Sequence, residues 1–225
     1  MTTKGKLIVI EGLDGAGKAT QTKLLLNRLK KQGCQTAIFD FPQYQTFFGG
    51  LVAKYLRGEF GKAEEVSPYF ASLLYALDRW QIKEKIKRNL KEGKIIISNR
   101  YSTSNFLHQT PKIKNRKEKE KFLKWLENLE FKLLDLPQPN LVLYLKTPYH
   151  LGQKLVKRKK QRKYLNGQKF DIHEKSNNHL KSAEKNSFFL IRKYHWQPIS
   201  CTRNGKILPK KEIANKIWLM VKKYL

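Results

Sequence analysis

The sequence is poor in cysteine, in acidic residues and in long hydrophobic runs, and each shortage excludes a class of protein. Its two cysteines, Cys34 and Cys201, lie far apart and outside any Cys-x-x-Cys or His/Cys cluster. Neither a disulfide framework nor a structural zinc site is therefore indicated. The first apolar run, residues 7–10, is too short for the core of a secretory signal, and no later run approaches a membrane span. We expect a cytoplasmic protein without a membrane partner.

Basic residues outnumber acidic ones by 47 to 18, which gives a formal net charge of +29. A surface of this kind attracts polyanions. The excess fits a nucleic-acid-binding protein, an enzyme for phosphorylated substrates, or a lysine-biased composition with no single partner, and charge alone does not choose between them. With 225 residues, 40% of them hydrophobic, the chain can bury a core as one domain, which excludes the disordered and fibrous classes.

Three of the 13 glycines lie between residues 12 and 17, directly after the apolar run at 7–10 and before the apolar residues 24–26. A glycine-rich turn between a strand and a helix lets backbone N–H groups point at an anion, and Lys18 adds a positive charge. The segment predicts a site for a nucleotide triphosphate, with a plain strand-to-helix turn as the alternative. The candidate phosphate-binding residues are Gly12, Leu13, Asp14, Gly15, Ala16, Gly17, Lys18, Ala19 and Thr20.

Five apolar segments alternate with stretches long enough for crossover helices, a pattern typical of an α/β protein whose parallel sheet is covered on both faces. The predicted strands are residues 6–10, 35–39, 94–98, 141–145 and 197–201. Ser67 followed by proline predicts the start of a helix that runs to about Lys91. Apolar residues at helical spacing predict a second helix over residues 116–134.

A dense basic run at residues 157–163 precedes the polar segment 171–174. Arg158 and Arg162 are four residues apart and share one helical face, so the run could form a lid whose guanidinium groups close over transferring phosphates. A solvated, lysine-rich helix end is the alternative.

Several motifs occur together in one order along the chain. They are residues 11–18 with Gln21, then residues 40–44, 75–80, 99–105 and 171–174. In this combination the chain resembles the thymidylate kinases, which transfer the γ-phosphoryl group of ATP to dTMP. The resemblance covers nearly the whole chain. It implies a three-layer P-loop NTPase fold with helices on both faces of a five-stranded parallel sheet, forming a single kinase domain over residues 1–225 with a basic lid at about 157–175.

The resemblance also assigns roles to individual residues. Phe41 would stack on thymine and Arg79 would hydrogen-bond the base. Arg100 would reach the phosphate and Asn105 the base. The substrate-binding candidates are Phe41, Tyr44, Arg79, Arg100, Asn105 and His108. The candidates for phosphoryl transfer are Lys18, Arg100, Arg158, Arg162 and Asp14.

Ordinary structural roles compete with several of these assignments. Phe41 could be a core residue, and Arg79 could lie at the helix surface with its charge in water. Asn105 could cap the local helix, while Tyr44 and His108 could be loop or interface residues.

ATP and Mg²⁺ are the implied cofactors, but two positions depart from the expected pattern. Ala19 stands where a loop hydroxyl is usual, with Thr20 next to it, and Asn99 stands where the family usually has aspartate. Asn99 brings no negative charge to a magnesium shell. The remaining magnesium candidates are Asp14 and Glu174, with Thr20 also possible, and reduced activity is an open alternative.

Three other functions stay open from the sequence. One is a related kinase acting on dUMP or a purine nucleotide. Another is a paralogue that binds dTMP without turnover. The third is a nucleic-acid-binding protein, suggested by the charge and by the basic runs at 112–121 and 157–163. The family resemblance implies a homodimer that uses dTMP and ATP and binds nucleic acid only non-specifically.

Overall fold

A five-stranded parallel sheet forms the centre of the molecule. The structure is a computed structural model that describes residues 4–157, 162–168, 170–174 and 176–225. The strands are β1 (Lys6–Gly12), β2 (Thr36–Asp40), β3 (Ile95–Asn99), β4 (Leu141–Lys146) and β5 (Gln197–Ser200). They lie in the order β2-β3-β1-β4-β5. The predicted α/β class and five parallel strands are confirmed.

Helices cover both faces of the sheet. They are α1 (Lys18–Lys31), α2 (Phe47–Arg57), α3 (Pro68–Trp80), α4 (Lys83–Lys91), α5 (Thr103–His108), α6 (Arg116–Glu127), α7 (Tyr149–Lys157), α8 (Asn177–Lys193) and α9 (Lys210–Val221). A π-helix, Asn128–Leu133, continues α6, and a small hairpin pairs β6 (Thr202–Arg203) with β7 (Lys206–Ile207). Single 3₁₀ turns occupy Thr110–Lys112, Lys163–Leu165 and Lys222–Tyr224.

The apolar run of β1 is continuous because both faces of the strand are buried. Leu7 and Val9 pack into one hydrophobic cluster together with Ile86 of α4. Ile8 and Ile10 point the other way, into the cluster that α1 and α9 help to form. Alternate residues of a strand face opposite sides, so a strand between two helical layers has no polar side.

The predicted helix from Ser67 to Lys91 is wrong in one respect, because the chain forms two helices there. Between them lies Gln81, whose side-chain amide donates to the carboxylate of Asp78 at 2.9 Å and to the hydroxyl of Thr46 at 2.6 Å. Asp78 is fully buried and also accepts from the backbone N–H of Gln43 at 3.1 Å. These bonds tie the helix junction to the loop after β2 and redirect the chain.

The strand register brings the carboxyl ends of the central strands to one edge of the sheet. Ile10 of β1 and Asp40 of β2 both pair with Asn99 of β3, and Gly12 pairs with Leu145 of β4. In parallel α/β sheets this edge is where ligands bind. Among the described residues, no helix combines the length and the apolar character that crossing a membrane requires.

Candidate active site

A cavity of about 750 Å³ opens at the carboxyl edge of the sheet. This volume lies within the range of small-molecule sites. Many sequence-predicted residues line it: Asp14, Gly15, Ala16, Gly17, Lys18, Ala19, Thr20, Phe41, Tyr44, Arg79, Arg100, Asn105, His108 and Arg162. Within the described chain, Gly12, Leu13 and Glu174 are not part of its lining. Arg158 lies outside the described residues.

The glycine-rich loop between β1 and α1 forms one wall of the cavity. Gly17 precedes α1 with a φ of 91°, so the loop delivers the N-terminus of that helix to the cavity. Lys18 is buried, and its ammonium group donates to the carbonyl oxygens of Gly12 at 2.8 Å and Leu13 at 2.9 Å. Gly12 and Leu13 therefore contribute to the loop by holding this lysine. A positive side chain and a helix N-terminus together suit a phosphate group.

Helix α7 packs directly on this loop through two glycines. A Cβ atom at Gly15 would collide with the backbone of Gly152, and one at Gly152 would collide with the backbone oxygen of Asp14. Gly15 also has a φ of 80°, in the left-handed region. The contact leaves no space for a side chain at either position.

Arg100 follows β3 and reaches the loop from the neighbouring strand. Its guanidinium group pairs with Asp14, lies 3.6 Å from the carboxylate of Glu11, and donates to the hydroxyl of Ser104 at 3.3 Å. Burial alone would lower the pKa of Arg100, but Asp14 and Glu11 raise it above its ordinary value. Arg100 has a φ of 65°, which is unusual for a residue other than glycine and is typical of functional positions.

Glu11 is a site residue to which the sequence reasoning gave no role. It is fully buried at the end of β1 and accepts hydrogen bonds from Thr103 at 2.8 Å and Ser104 at 2.7 Å. These bonds fix the start of α5 against β1. The sequence did contain a signal for this role, because Glu11 directly follows a run of apolar residues. A carboxylate buried at such a position needs hydrogen-bond or charge partners.

The cavity end below β2 and β3 contains Phe41, Arg79 and Asn105. Phe41 is 4% exposed and packs on Tyr101 with ring centroids 5.9 Å apart, so it belongs to the core and to the cavity wall at once. Arg79 is 1% exposed, which excludes the alternative of a surface arginine. It forms an ion pair with the buried Glu130.

Glu130 was also missed from the sequence. It is fully buried in the π-helix, where it accepts from Arg79 and, at 2.8 Å, from Asn105. A signal existed, because Glu130 lies four residues after Leu126 and eight after Phe122, on the apolar face of the predicted helix. A charged residue on that face indicates a buried partner.

The opposite end of the cavity has an apolar wall that the sequence reasoning did not identify. Its residues run from the end of β7 into the first turn of α9 and are Ile207, Leu208, Pro209 and Ile213, with Lys210 beside them. The side chain of Gln21 in α1 donates to the backbone oxygen of Lys210 at 3.1 Å and holds this segment next to the glycine-rich loop.

The described part of the predicted lid is docked on α2. The ring of Tyr164 stacks on that of Tyr44 with centroids 3.9 Å apart and planes 11° apart. Arg57 donates to the backbone oxygen of Tyr164 at 2.9 Å, and the N–H of Ile172 donates to the oxygen of Leu56 at 3.0 Å. The segment therefore covers one side of the cavity, into which Arg162 and Tyr164 project.

A family model described as thymidylate kinase matches residues 10–200. The chain belongs to the thymidylate kinase family.

Individual members of the thymidylate kinase family agree with this membership. The chain is 32% identical to the thymidylate kinase of Plasmodium falciparum over 150 residues, 67% of this chain and 65% of that protein. It is 33% identical to the human thymidylate kinase over 143 residues, 63% of this chain and 61% of that protein. The matched region thus covers less than two thirds of these relatives. A solved structure of thymidylate kinase from Candida albicans has the same fold, with a TM-score of 0.73, 22% identity, and coverage of 100% of this chain and 94% of that one.

Glu174, expected to help hold magnesium, has another partner in this family member. Arg162 donates to its two carboxylate oxygens at 2.7 and 2.6 Å, and Glu174 is only 7% exposed. A carboxylate held in this bidentate way is engaged in fixing the lid arginine. The role of Glu174 towards magnesium, like that of Asp14, which pairs with Arg100, stays a prediction.

Asn99, which stands where the family usually has aspartate, lies next to a carboxylate. The Asn99 amide donates to Asp40 at 2.7 Å across the paired strands β2 and β3, and Asp40 lines the cavity. Burial raises the pKa of Asp40 in spite of the bond from Asn99 and the nearby charge of Arg100. The buried carbonyl oxygen of Asn99 has no hydrogen-bond partner within the described part of the chain.

Oxygen atoms around the loop are of the kind that Mg²⁺ prefers. Among the described residues, no cluster of three or more His, Cys, Asp or Glu side chains could hold a metal alone. Mg²⁺ at nucleotide sites commonly takes one or two carboxylates together with phosphates and water. Asp14, Asp40, Thr20 and the unpartnered oxygen of Asn99 supply such donors.

His108 belongs to a column of three buried histidines beside Arg100. Its ring nitrogens lie 3.2 Å from the guanidinium group of Arg100 and 3.3 Å from His179, and His179 stacks on His173 with centroids 4.4 Å apart. Burial lowers the pKa of all three, that of His179 to about 4. The uncharged rings can therefore pack beside Arg100 at neutral pH. Neither ring nitrogen of His173 has a hydrogen-bond partner among the described residues.

Proposed function

We propose that this protein is an ATP-dependent thymidylate kinase that transfers the γ-phosphoryl group of ATP to dTMP, giving ADP and dTDP. One observation carries the proposal. The Lys18 loop and the Arg79, Arg100 and Asn105 side chains, which come from separate elements, open onto one cavity in a chain of this family.

ATP would lie along the glycine-rich loop. The N-terminus of α1 and the ammonium group of Lys18 would bind its phosphates, and the apolar wall at Ile207, Leu208 and Ile213 suits a flat adenine ring. Mg²⁺ would neutralise phosphate charge between donor and acceptor, with Asp14, Asp40 and Thr20 as the residues available to hold it or its water.

The acceptor nucleotide would lie between Phe41 and the lid. Phe41 offers a ring face to the base, Arg79 and Asn105 offer hydrogen bonds, and Arg100 would bind the phosphate. In this arrangement an acceptor phosphate oxygen forms a bond to the γ-phosphorus while the bond to the ADP oxygen breaks. The chain contributes alignment and positive charge from Lys18, Arg100 and Arg162.

The first experiment is ADP formation from magnesium-ATP with dTMP, dUMP, dGMP and AMP offered separately, together with calorimetric binding of dTMP. We expect turnover selective for dTMP. Turnover with dUMP or a purine nucleotide would instead identify a related kinase. Binding of dTMP without turnover would identify a disabled paralogue. Salt-sensitive binding of DNA or RNA with indifference to dTMP would favour the nucleic-acid reading.

We also propose that the protein forms a homodimer through α3. Its outward face presents large apolar side chains, Tyr69, Phe70, Leu73 and Trp80, that are 36–44% exposed. Large apolar side chains exposed on one helix favour association. Light scattering after gel filtration tests the proposal, and a monomer at micromolar concentration, with Leu73→Lys behaving identically, would contradict it.

A further inference from the structure

Glu130 lies behind the acceptor end of the cavity and contacts both residues proposed to bind the base. It is fully buried. One of its carboxylate oxygens accepts from Arg79 Nε at 2.9 Å, and the other accepts from Arg79 Nη2 and, at 2.8 Å, from Asn105 Nδ2. Arg79 and Asn105 line the cavity, so Glu130 connects them from the protein side.

The hydrogen bonds of Asn105 fix which end of its amide can meet a ligand. Its Nδ2 group carries two hydrogens. One is donated to Glu130 and the other to the backbone oxygen of Ser72 at 3.0 Å. The carbonyl oxygen is the group that remains, so Asn105 offers an acceptor to the cavity.

Arg79 offers the opposite polarity. A guanidinium group has five N–H bonds and no acceptor. Glu130 takes Nε–H and one hydrogen of Nη2, which leaves the other N–H groups as donors. The cavity therefore presents a donor from Arg79 and an acceptor from Asn105.

We propose that Glu130 is a positioning residue that sets this donor and acceptor polarity and thereby selects 4-oxo pyrimidines over cytosine. In thymine and uracil, O4 accepts from Arg79 and N3–H donates to Asn105. Cytosine carries an amino group at C4 and an unprotonated N3. Its amino donor would then face the donor of Arg79, and its N3 acceptor would face the acceptor of Asn105. The inference rests on the proposed function, because it concerns the base of the acceptor nucleotide.

Replacing Glu130 by glutamine tests this polarity. At the position of either carboxylate oxygen the glutamine NH₂ group meets an N–H of Arg79, and at one of the two positions it also meets the NH₂ group of Asn105. Rotation of the Asn105 amide relieves the conflict with Asn105 and turns its NH₂ group towards the cavity. We expect the preference for dTMP over dCMP to fall by about tenfold or more, because unpaired buried polar groups are costly. ATP affinity should not change.

The experiment measures calorimetric affinities of dTMP, dUMP, dCMP and ATP for the wild type, Glu130→Gln and the matched control Glu127→Gln. Glu127 is the last residue of α6, just before the π-helix that holds Glu130, and accepts from the hydroxyl of Tyr194 at 2.6 Å, so its amide tests a similar change away from the base. The control should keep the wild-type preference. A folded Glu130→Gln protein with wild-type preference would overturn the inference.

Asn105→Ala provides a second test if Glu130→Gln does not fold. It removes the acceptor and leaves the pair of Arg79 with Glu130 in place, so dTMP affinity should fall towards that of dCMP. An unchanged ratio, or a wild type that binds dCMP as tightly as dTMP, would overturn the inference. A wild type that binds none of the three pyrimidine nucleotides would instead overturn the proposed function.

Discussion

Lys18 bonds two backbone carbonyls of the loop that precedes it and so lies where phosphates would bind. We predict that Lys18→Met lowers kcat/KM for phosphoryl transfer by roughly a hundredfold or more, about 3 kcal/mol, the scale of single electrostatic groups at active sites. Lys30→Met, an exposed change on the same helix, is the control and should leave the rate intact. Near-wild-type turnover in Lys18→Met would contradict the assignment.

Asn99 and Asp40 share one negative charge between two paired strands. Asn99→Asp adds a second carboxylate at hydrogen-bond distance from the first. We predict a lower magnesium concentration at half-maximal rate, by roughly fivefold, since one unit charge at about 4 Å in water contributes about 1 kcal/mol.

The exchange variant Asp40→Asn/Asn99→Asp is the control, because it moves the charge without adding one. It should need about as much magnesium as the wild type. An unchanged or higher requirement in the single variant would remove position 99 from the metal's surroundings.

The histidine column predicts a pH dependence of stability. The folded pKa of His179, about 4, lies below its ordinary value of 6.5, so between these values the unfolded chain binds a proton that the folded chain does not. Protonation of the unfolded chain therefore lowers the free energy of unfolding as pH falls from 6.5 towards 4, and above pH 6.5 this loss is absent. In urea titrations across this window, His179→Gln should flatten the slope of the unfolding free energy by about 1 kcal/mol per pH unit.

Asp171 acts in the opposite direction, because burial and the charge of Glu174 raise its pKa to about 7. Asp171 is present in both the wild type and His179→Gln, so the difference between their slopes of unfolding free energy against pH reports His179 alone. Identical slopes in the wild type and His179→Gln would contradict the prediction.

Motifs predicted which loop and strand-end residues approach the cavity, because their spacing follows the strands that carry them. The partners of those residues were not predictable in the same way. Glu130 acts on Arg79 from 51 positions away, and Asp40 meets Asn99 from 59 positions away. Such pairs depend on strand order and helix packing, which no local pattern contains.

At the scale of elements, the five strands were predicted to within one or two residues. In β1 to β4 the signal is an apolar run of three or more residues bounded by polar residues, whereas β5 reads Gln-Pro-Ile-Ser. The break between α3 and α4 was missed, because it depends on the bond from Gln81 to Thr46, which lies 35 positions earlier in the chain. The sequence across the break itself keeps a helical pattern.

An aromatic pair contributes to the docking of the predicted lid, beside the hydrogen bonds from Arg57 and Ile172. We predict that Tyr164→Ala weakens docking by about 1 kcal/mol, the usual contribution of a stacked pair, and raises KM for the nucleotides. Hydrogen exchange of residues 162–174 should increase several-fold. Tyr164→Phe keeps the ring on Tyr44 and loses only the hydroxyl, which contacts Arg162 at 3.2 Å and Asp171 at 3.5 Å, so it should protect the segment better than Tyr164→Ala. Equal exchange in all three proteins would show that the pair does not hold the lid.

The charge of +29 acts on the molecule as a whole. Like charges repel more strongly in the compact state, and salt screens them, with a Debye length of about 30 Å at 0.01 M and about 8 Å at 0.15 M. We predict that Tm rises as sodium chloride increases over this range at pH 7. Near the sequence pI of about 10.1 the rise should vanish. A Tm that falls with salt at pH 7 would mean that favourable ion pairs dominate.

The contact between Gly15 and Gly152 joins the glycine-rich loop to the helix that precedes the predicted lid. Helix α7 leads into the lid, and its first turn rests on the backbone of the phosphate loop with no side chain between them. Because backbone meets backbone there, α7 cannot shift towards the loop unless the loop moves with it. We therefore expect a substitution that shifts α7 to change the position of both the predicted lid and the loop proposed to bind phosphate.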